Sequence, residues 1–311
     1  MTLNQMKTLV AVVESGSITA AAKRLFVTQA AVSTALASLK GEVGVELFVR
    51  EGRGVRLTEA GSTLYDYAKK ILGLMEEAVN VTRGSGEGAK RVLRIAAVTT
   101  AGEVLLPKWL DSFLELDSQV EIKVEVSNRS RVFDLLESHF VDLAIAGSPP
   151  PNRPLESRAI RDHKLFLLVG GHRLTQFEAL TDTNELIEVL SATPWLVREE
   201  GSGTRSNCDE LIARLKIEPQ LLTLSSNVAI KEACLLGVGV ALLSIDNISE
   251  ELLAGRLAKI DVASTPIEKS WNVVVRSGER LNDVVAAFLE HLVLAGYVRP
   301  VTAVERRLRA L

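Results

Sequence analysis

The sequence predicts two structural classes in one chain: an N-terminal all-α winged helix-turn-helix with a long helix behind it, and then a larger α/β domain. Three observations predict this. Short, capped, alanine-rich helical segments open the chain and lead into a charged, glycine-containing hairpin. About 25 residues follow with apolar side chains at heptad spacing. From Arg91 onward, apolar strands alternate with helical segments.

Composition bounds the alternatives. The chain has 311 residues, 47% hydrophobic and 24% charged, which excludes wholesale disorder and allows about two domains. Two cysteines, Cys208 and Cys234, exclude a disulfide scaffold and a four-cysteine zinc site. The four histidines, His139, His163, His172 and His291, lack metal-ligand spacing, so no metal or cofactor is expected. The N-terminus lacks the basic start of a signal peptide, and the longest apolar stretch, residues 233–243, is about half a membrane span. A cytoplasmic protein is expected. The net charge of −3 divides unevenly, +4 over residues 1–94 and −7 over the rest, which fits a small nucleic-acid-binding module on an acidic body.

The front of the chain justifies each helix in turn. Thr2 and Gln5 have capping-box spacing, and Leu3, Met6, Leu9, Val10 and Val13 recur at helical spacing. Gly16 ends that segment and Ser17 can cap the next, residues 18–25, where Ala20, Ala21 and Ala22 permit close helix approach. Thr28 can cap a third helix over residues 29–40, with Val32, Leu36 and Leu39 as its buried stripe. Two short helices joined by a tight turn form the helix-turn-helix pattern. Residues 45–57 read as a hairpin or wing, with Arg50, Arg53 and Arg56 on or beside its tip. Thr58 then caps a helix to about residue 83, whose Leu64, Tyr67, Ile71, Leu74, Ala78 and Val81 fall at a and d positions. Nothing else in the chain obviously covers that stripe, so a second copy of the same helix is the expected partner. Residues 84–89 read as a flexible linker.

Beyond the linker, strands are expected at residues 92–98, 120–127, 142–146, 164–169, 194–197, 221–224, 238–243 and 271–275. Helices are expected from Leu105 to Leu116, over 132–140 and over 281–294, and the alternation implies parallel sheet.

The segment GSITAAAKRLFVTQAAVSTALASLKGEVGVELFVREGRGVRLTEAG closely resembles the signature region of LysR-type transcriptional regulators, and the resemblance extends over essentially the whole chain. Effector-domain stretches TTAGEVLLP, DLAIAGSPPP, LVREEGSGTR and SNVAIKEACLLGVGVALLS resemble the subgroup of Calvin-cycle and sulfur-assimilation operon regulators. The resemblance implies a winged helix-turn-helix over 1–58, a dimerising linker helix and hinge over 59–88, and a two-lobed effector domain over 89–311 resembling periplasmic binding proteins. Lobe I would comprise about 89–163 and 266–300, and lobe II about 164–265. It also implies a homodimer, typically assembled as a dimer of dimers, with RNA polymerase as a further partner of an activator. Two departures stand out. Ala30 replaces a frequent proline, and Thr34 replaces a common arginine, so base reading need not follow the family's scheme.

DNA reading needs helix side chains at base edges and cations at phosphates. Off the apolar stripe of the third helix lie Gln29, Ser33, Thr34 and Ser38, with Thr28 at its start. Gln29 sits in the turn that enters a groove and can pair bidentately with adenine. Arg50, Arg53 and Arg56 are wing contacts, and Lys23 and Lys40 are weaker phosphate candidates. A merely solvated polar surface is the competing reading of each.

Ligands of open α/β sheets bind beyond the carboxyl ends of strands. Three loops there carry suitable chemistry. Thr99 and Thr100 precede a helix, where Thr100 and Glu103 also have capping-box spacing. Ser202, Gly203, Thr204 and Arg205 precede another helix. There Arg205 opposes the helix dipole and wants an anion, from Glu199, Glu200 or a ligand. Asn227 starts a third helix, as a cap or facing the cleft, and Asn128 and Ser148 occupy similar strand ends. The set suggests a small anionic metabolite, a carboxylate or a phosphorylated compound.

Three rival readings are weaker. The chain has no phosphate-binding GxxxxGK[ST] loop and no G-x-S-x-G elbow, so it is not expected to be an enzyme. A cytosolic small-molecule binding protein would fit the second half alone. A redox-switched regulator would need Cys208 and Cys234 to be more than small buried residues.

Overall fold

The computed structural model describes residues 1–51, 54–84, 91–178, 180, 182–302 and 305. Arg53 and the linker residues 85–89 lie outside the described residues. The chain divides into two compact units, residues 1–89 with 137–140, and 90–136 with 141–311.

The first unit opens with α1 (Leu3–Ser15), α2 (Ile18–Leu25) and α3 (Gln29–Val43), then the hairpin β1 (Phe48–Glu51) and β2 (Gly54–Leu57), then α4 (Glu59–Gly84). Local chemistry sets each boundary. Thr2 and Gln5 form a reciprocal capping box, and Gly16 closes α1 in the left-handed region at φ 69°. Ser17 caps α2 and Thr28 caps α3, each accepting from the amide three residues on. Thr58 accepts from the Gly61 amide to start α4. A Cβ on Gly61 would lie 2.0 Å from the Leu47 carbonyl oxygen, so only glycine lets α4 approach the hairpin so closely. Leu9, Leu39, Leu47, Ala68 and Leu72 form one core cluster, and Ala11, Val12, Ala21, Ala22 and Val32 form another where small side chains bring the helices together.

The heptad expectation for α4 divides between two faces. Leu64 packs into the first unit's core beside Ala68 and Leu72, so it is not free for a partner helix. Tyr67, Ile71, Leu74 and Ala78 are exposed, Tyr67 at 62% and Leu74 at 48%. The side chain of Val81 is not among those described.

The second unit runs β3 (Arg91–Val98), a π-helical turn (Ala101–Leu105), α5 (Leu106–Leu116), β4 (Val120–Ser127), α6 (Arg129–Glu137), β5 (Leu143–Ala146) and β6 (Leu155–Gly170). It continues with α7 (Leu174–Glu178), α8 (Thr183–Ala192), β7 (Trp195–Val197), α9 (Gly203–Leu215), β8 (Leu221–Thr223), α10 (Asn227–Leu235) and β9 (Val240–Ser244). It ends with α11 (Ser249–Leu253), β10 (Leu257–Lys259), β11 (Ile267–Arg276), α12 (Asp283–Leu294) and β12 (Arg299–Pro300). The main strand order is β4-β3-β5-β11-β6-β9-β7-β8.

The expected parallel character holds for the strands on either side of a central antiparallel pair. β3 pairs in parallel with β4 and β5, and β7 with β8 and β9, but β6 and β11 are antiparallel to each other and to their outer neighbours. These two long strands link two cores. Ala159 of β6 and Trp271, Val273 and Val275 of β11 belong to a cluster with Trp109, Phe113 and Phe288. Leu165, Leu167 and Val169 of β6 belong to a second cluster with Trp195 and Leu211. The sequence placed a strand only over 164–169 because the preceding Arg161, Asp162 and His163 interrupt the apolar run. α6 likewise begins at Arg129, earlier than the 132–140 expectation, because Asn128 caps it through the Arg131 amide, and it ends at Glu137. Short β10 and β12 carry no sequence signal of their own.

Candidate functional site

In the first unit, α3 presents Gln29, Ser33 and Thr34 on its exposed side, while Val32 and Leu39 face inward. The Thr28 hydroxyl is used as the cap, although the residue is exposed. Ser38 is tied back: Gln5 Nε2 donates to its hydroxyl at 3.0 Å, and Ser38 donates to Glu42 at 3.4 Å. It is less available to DNA than its sequence position suggested. Lys23 and Arg56 are exposed, and Lys40 is paired with Glu46. Arg50 lies on β1, but its side chain is not described. Phe26, which sequence reasoning passed over, stands 95% exposed at φ 56° in the turn before α3. An aromatic ring there lies beside the helix that carries Gln29.

In the second unit, the candidates converge. Thr99, Thr100, Asn128, Ser148, Ser202, Gly203, Thr204 and Asn227 all line one cavity of about 340 Å³. That is enough for a small metabolite. The positions follow from the topology: β3, β4 and β5 end at residues 98, 127 and 146, so the loops after these parallel strands meet.

Several expected roles change. Thr100 does not cap a helix; a π-helical turn follows it, and its hydroxyl donates to Asn247 Oδ1 at 2.8 Å and accepts from Asn227 Nδ2 at 2.9 Å. Asn227 does not cap α10, because Ser226 does. Arg205 leaves the cavity wall: its guanidinium donates to Asp209 at 2.8 Å and to the Arg198 carbonyl at 3.1 Å. A partner four residues along its own helix answers the dipole argument locally, so neither Glu199, Glu200 nor a ligand is needed. Ser202 stands at the N-cap of α9 yet makes no capping bond, and the residue is only 5% exposed.

The wall also holds residues the sequence reading missed, among them Arg129, His163, Arg198, Glu210, Lys269 and Trp271. Buried Arg198 donates to Asn227 Oδ1 at 2.9 Å, to Thr99 Oγ1 at 3.3 Å and to Glu199 at 2.8 Å. Its place directly after β7 was a usable signal, since strand ends are where ligands bind. His163 and Trp271 had no such signal, because they sit within the strands that link the two cores. Their rings stack at 4.1 Å and 7°, with His163 Nδ1 3.0 Å from the Ser244 hydroxyl and Trp271 Nε1 donating to Asp246 at 2.8 Å.

Burial pushes the His163 imidazole down to about 4; Asp246 opposes this and Arg161 adds to it. The ring is therefore neutral at neutral pH. Because the folded pKa lies below the ordinary 6.5, the unfolded chain binds the extra proton between those values. Stability from this site is complete above about pH 6.5 and is lost as pH falls toward 4. The span is on the order of 3 kcal/mol. Urea unfolding of wild type and His163→Gln at pH 7 and pH 4.5 measures it: the wild type loses more stability on acidification than the variant. Equal losses would contradict the assignment.

The cysteines are poor redox sensors. Both are buried, and burial pushes each thiol up to about 12. Among the described residues there is no cluster of metal-ligating side chains, and no helix is long and apolar enough to cross a membrane.

Comparison with known proteins places both units. Residues 3–62 match the model of the bacterial regulatory helix-turn-helix protein, lysR family, and residues 86–295 match the LysR substrate binding domain. The HTH-type transcriptional activator CmpR of Synechocystis sp. PCC 6803 is 32% identical over 94% of this chain and 94% of its own. The RuBisCO operon transcriptional regulator of Allochromatium vinosum is 32% identical over 93% of this chain and 95% of its own. Among solved structures, the regulatory domain of Synechocystis PCC6803 CcmR in complex with 2-PG covers 66% of this chain and 96% of its own, at 27% identity and a TM-score of 0.59.

Proposed function

We propose, for a chain that belongs to the LysR family of bacterial transcriptional regulators, that α3 and the wing read a twofold-symmetric operator and that a small anionic metabolite in the cleft of the second unit controls the outcome. The relatives regulate transcription, and the sequence resemblance to Calvin-cycle regulators agrees with their names. The observation that carries the effector reading is the convergence of every candidate except Arg205 on one donor-rich cavity. The CcmR complex with 2-PG supports placing a small-molecule site in this domain.

On the DNA side, Gln29 reads a base edge from the first turn of α3, with Ser33 and Thr34 beside it. Lys23, Arg50, Arg53 and Arg56 neutralise phosphates, which makes affinity fall steeply with salt. Paired α4 helices join two such modules in a homodimer, and two dimers form the complete assembly. If the protein activates transcription, as the name of its relative CmpR states of that protein, RNA polymerase is a further partner.

Thr99, Thr100, Asn128 and Ser148 contact the effector from one side of the cleft, and Ser202, Gly203, Thr204 and Asn227 from the other. Its binding switches the protein only if the two states of the cleft differ in affinity for it. Closure then changes the spacing of the DNA modules within the assembly.

Selection of bound duplexes from a random pool tests the DNA half. The wild type enriches two related half-sites whose centres lie about 10–10.5 base pairs apart or a multiple of that. Gln29→Ala loses about 1–3 kcal/mol of discrimination at one position of each half-site. An unaltered selected sequence for Gln29→Ala removes this residue's role.

A further inference from the structure

The two strands that link the cores of the second unit carry a hydrogen-bond acceptor into the cavity. β6 and β11 run antiparallel, with His163 opposite Lys269 and Arg161 opposite Trp271. Side chains alternate along a strand, so Arg161, His163 and Leu165 share one face with Lys269 and Trp271, and Asp162 and Lys164 take the other. His163, Leu165, Lys269 and Trp271 all line the cavity. The His163 ring, stacked on Trp271, therefore stands in the cavity wall.

The hydrogen bonds of Ser244 decide which nitrogen of that ring carries the proton. A serine hydroxyl has one proton and two lone pairs. Here the proton goes to Asp246 Oδ2 at 3.2 Å, and one lone pair accepts from the Asp246 amide at 3.3 Å. The contact with His163 Nδ1 at 3.0 Å falls to the second lone pair, so Nδ1 is the donor. Asp246 accepts in addition from Arg161 at 2.9 Å and from Trp271 Nε1 at 2.8 Å, which fixes its carboxyl as the acceptor of the set. Burial keeps the imidazole neutral at neutral pH, pushed down to about 4. A neutral ring with its proton on Nδ1 carries a lone pair on Nε2. That nitrogen bonds to no described residue and keeps open surface, although the residue as a whole is buried.

We propose that His163 Nε2 accepts a hydrogen bond from a hydroxyl group of the ligand, so that the cleft selects hydroxy acids over their deoxy counterparts. The inference rests on the effector-cleft reading above and adds a donor group to the anionic ligand at a stated place. Arg129, Arg198 and Lys269 of the same wall can receive an anionic group, whereas a lone pair repels one. The position at His163 therefore asks for a proton donor. An acceptor left without one costs free energy when a ligand that lacks the hydroxyl fills the space.

Calorimetric titration of the full-length chain with both enantiomers of malate and with succinate tests it, because malate and succinate differ by one hydroxyl. Wild type binds one enantiomer of malate about tenfold more tightly than succinate, as expected of one hydrogen bond to an acceptor otherwise stranded. His163→Phe keeps a ring over Trp271 but has no acceptor, and it binds the acids about equally. His163→Gln, whose carbonyl oxygen can accept, keeps part of the preference. Ser202→Ala weakens malate and succinate alike and leaves their ratio unchanged. Nitrogen-15 spectra of histidine-labelled wild type, assigned by the signal lost in His163→Gln, show a neutral ring with its proton on Nδ1 at neutral pH. A wild type that binds succinate as tightly as either malate, or a His163 ring with its proton on Nε2, overturns the inference. If Ser202→Ala still weakens the acids in that case, the cleft reading stands. Binding that neither His163→Phe nor Ser202→Ala alters, or no binding of any of these acids, removes the cleft reading with it.

Discussion

Replacing Ile71 and Leu74 of α4 together by aspartate converts the protein to a monomer and lowers its affinity for a two-half-site duplex at least about a hundredfold. The reason is geometric. Ala68 and Leu72 already bury their side of α4 against the first unit's core, while Tyr67, Ile71, Leu74 and Ala78 stand in solvent on a neighbouring stripe. Two apolar stripes covering each other give a coiled-coil seam, and carboxylates on it repel across the twofold axis. Since neither substituted side chain is buried, the helix-turn-helix stays folded. The duplex affinity falls because each half-site must then be bound singly, and linkage of two binding modules is worth about 10²–10⁴. Light scattering and fluorescence anisotropy measure the two effects. A variant that remains dimeric at micromolar concentration would show that α4 is not the dimer seam.

The second large effect falls on the floor of the cleft. Asn227 is 2% exposed and links three groups: it accepts from Arg198 at 2.9 Å and donates to Thr100 at 2.9 Å, and Thr100 in turn donates to Asn247. Asn227→Leu keeps the branching of the side chain but strands a guanidinium donor and weakens the threonine's bonding in a buried setting. Each unsatisfied buried group costs about 1–3 kcal/mol, more when charged. The chain should lose about 3 kcal/mol of stability on urea unfolding, together with the stabilisation conferred by an anionic ligand. A loss below about 1 kcal/mol would mean that water or Glu199 replaces the amide without cost.

The first unit was legible because its determinants are local. Thr2 with Gln5, Ser17 and Thr28 satisfy amides three residues away, and Gly16 ends a helix by its own conformation, so reading neighbours along the chain recovered these boundaries. The second unit was legible to the extent that its strands are apolar. β3, β5, β7 and β9 are almost continuously buried and read clearly. β6 did not, because its middle carries Arg161, Asp162 and His163, which make their contacts across the linking strands and not along them.

The site shows the same division. Strand-end reasoning found Thr99, Asn128, Ser148 and Ser202 because a parallel strand points its carboxyl end at the ligand space. It took Arg205 by the dipole argument and passed over Arg198, yet Arg205 has Asp209 within reach on its own helix, and Arg198 lies in the cavity wall. Two cations seven residues apart exchange roles through one turn of backbone, which charge patterns alone do not resolve. Arg129 was passed over for a similar reason: at the start of a helix it reads as a solvated charge, and only the fold brings it into the cavity wall.

The most direct test of effector control over DNA binding is a footprint on the selected duplex, made with the full-length chain in the absence and presence of phosphoglycolate. The account predicts that the ligand changes the length or bend of the protected region in wild type, with half-site contacts retained, and leaves the Ser202→Ala footprint unaltered at the same ligand concentration. Identical footprints with and without a ligand that calorimetry has shown to be bound in the cleft would contradict it.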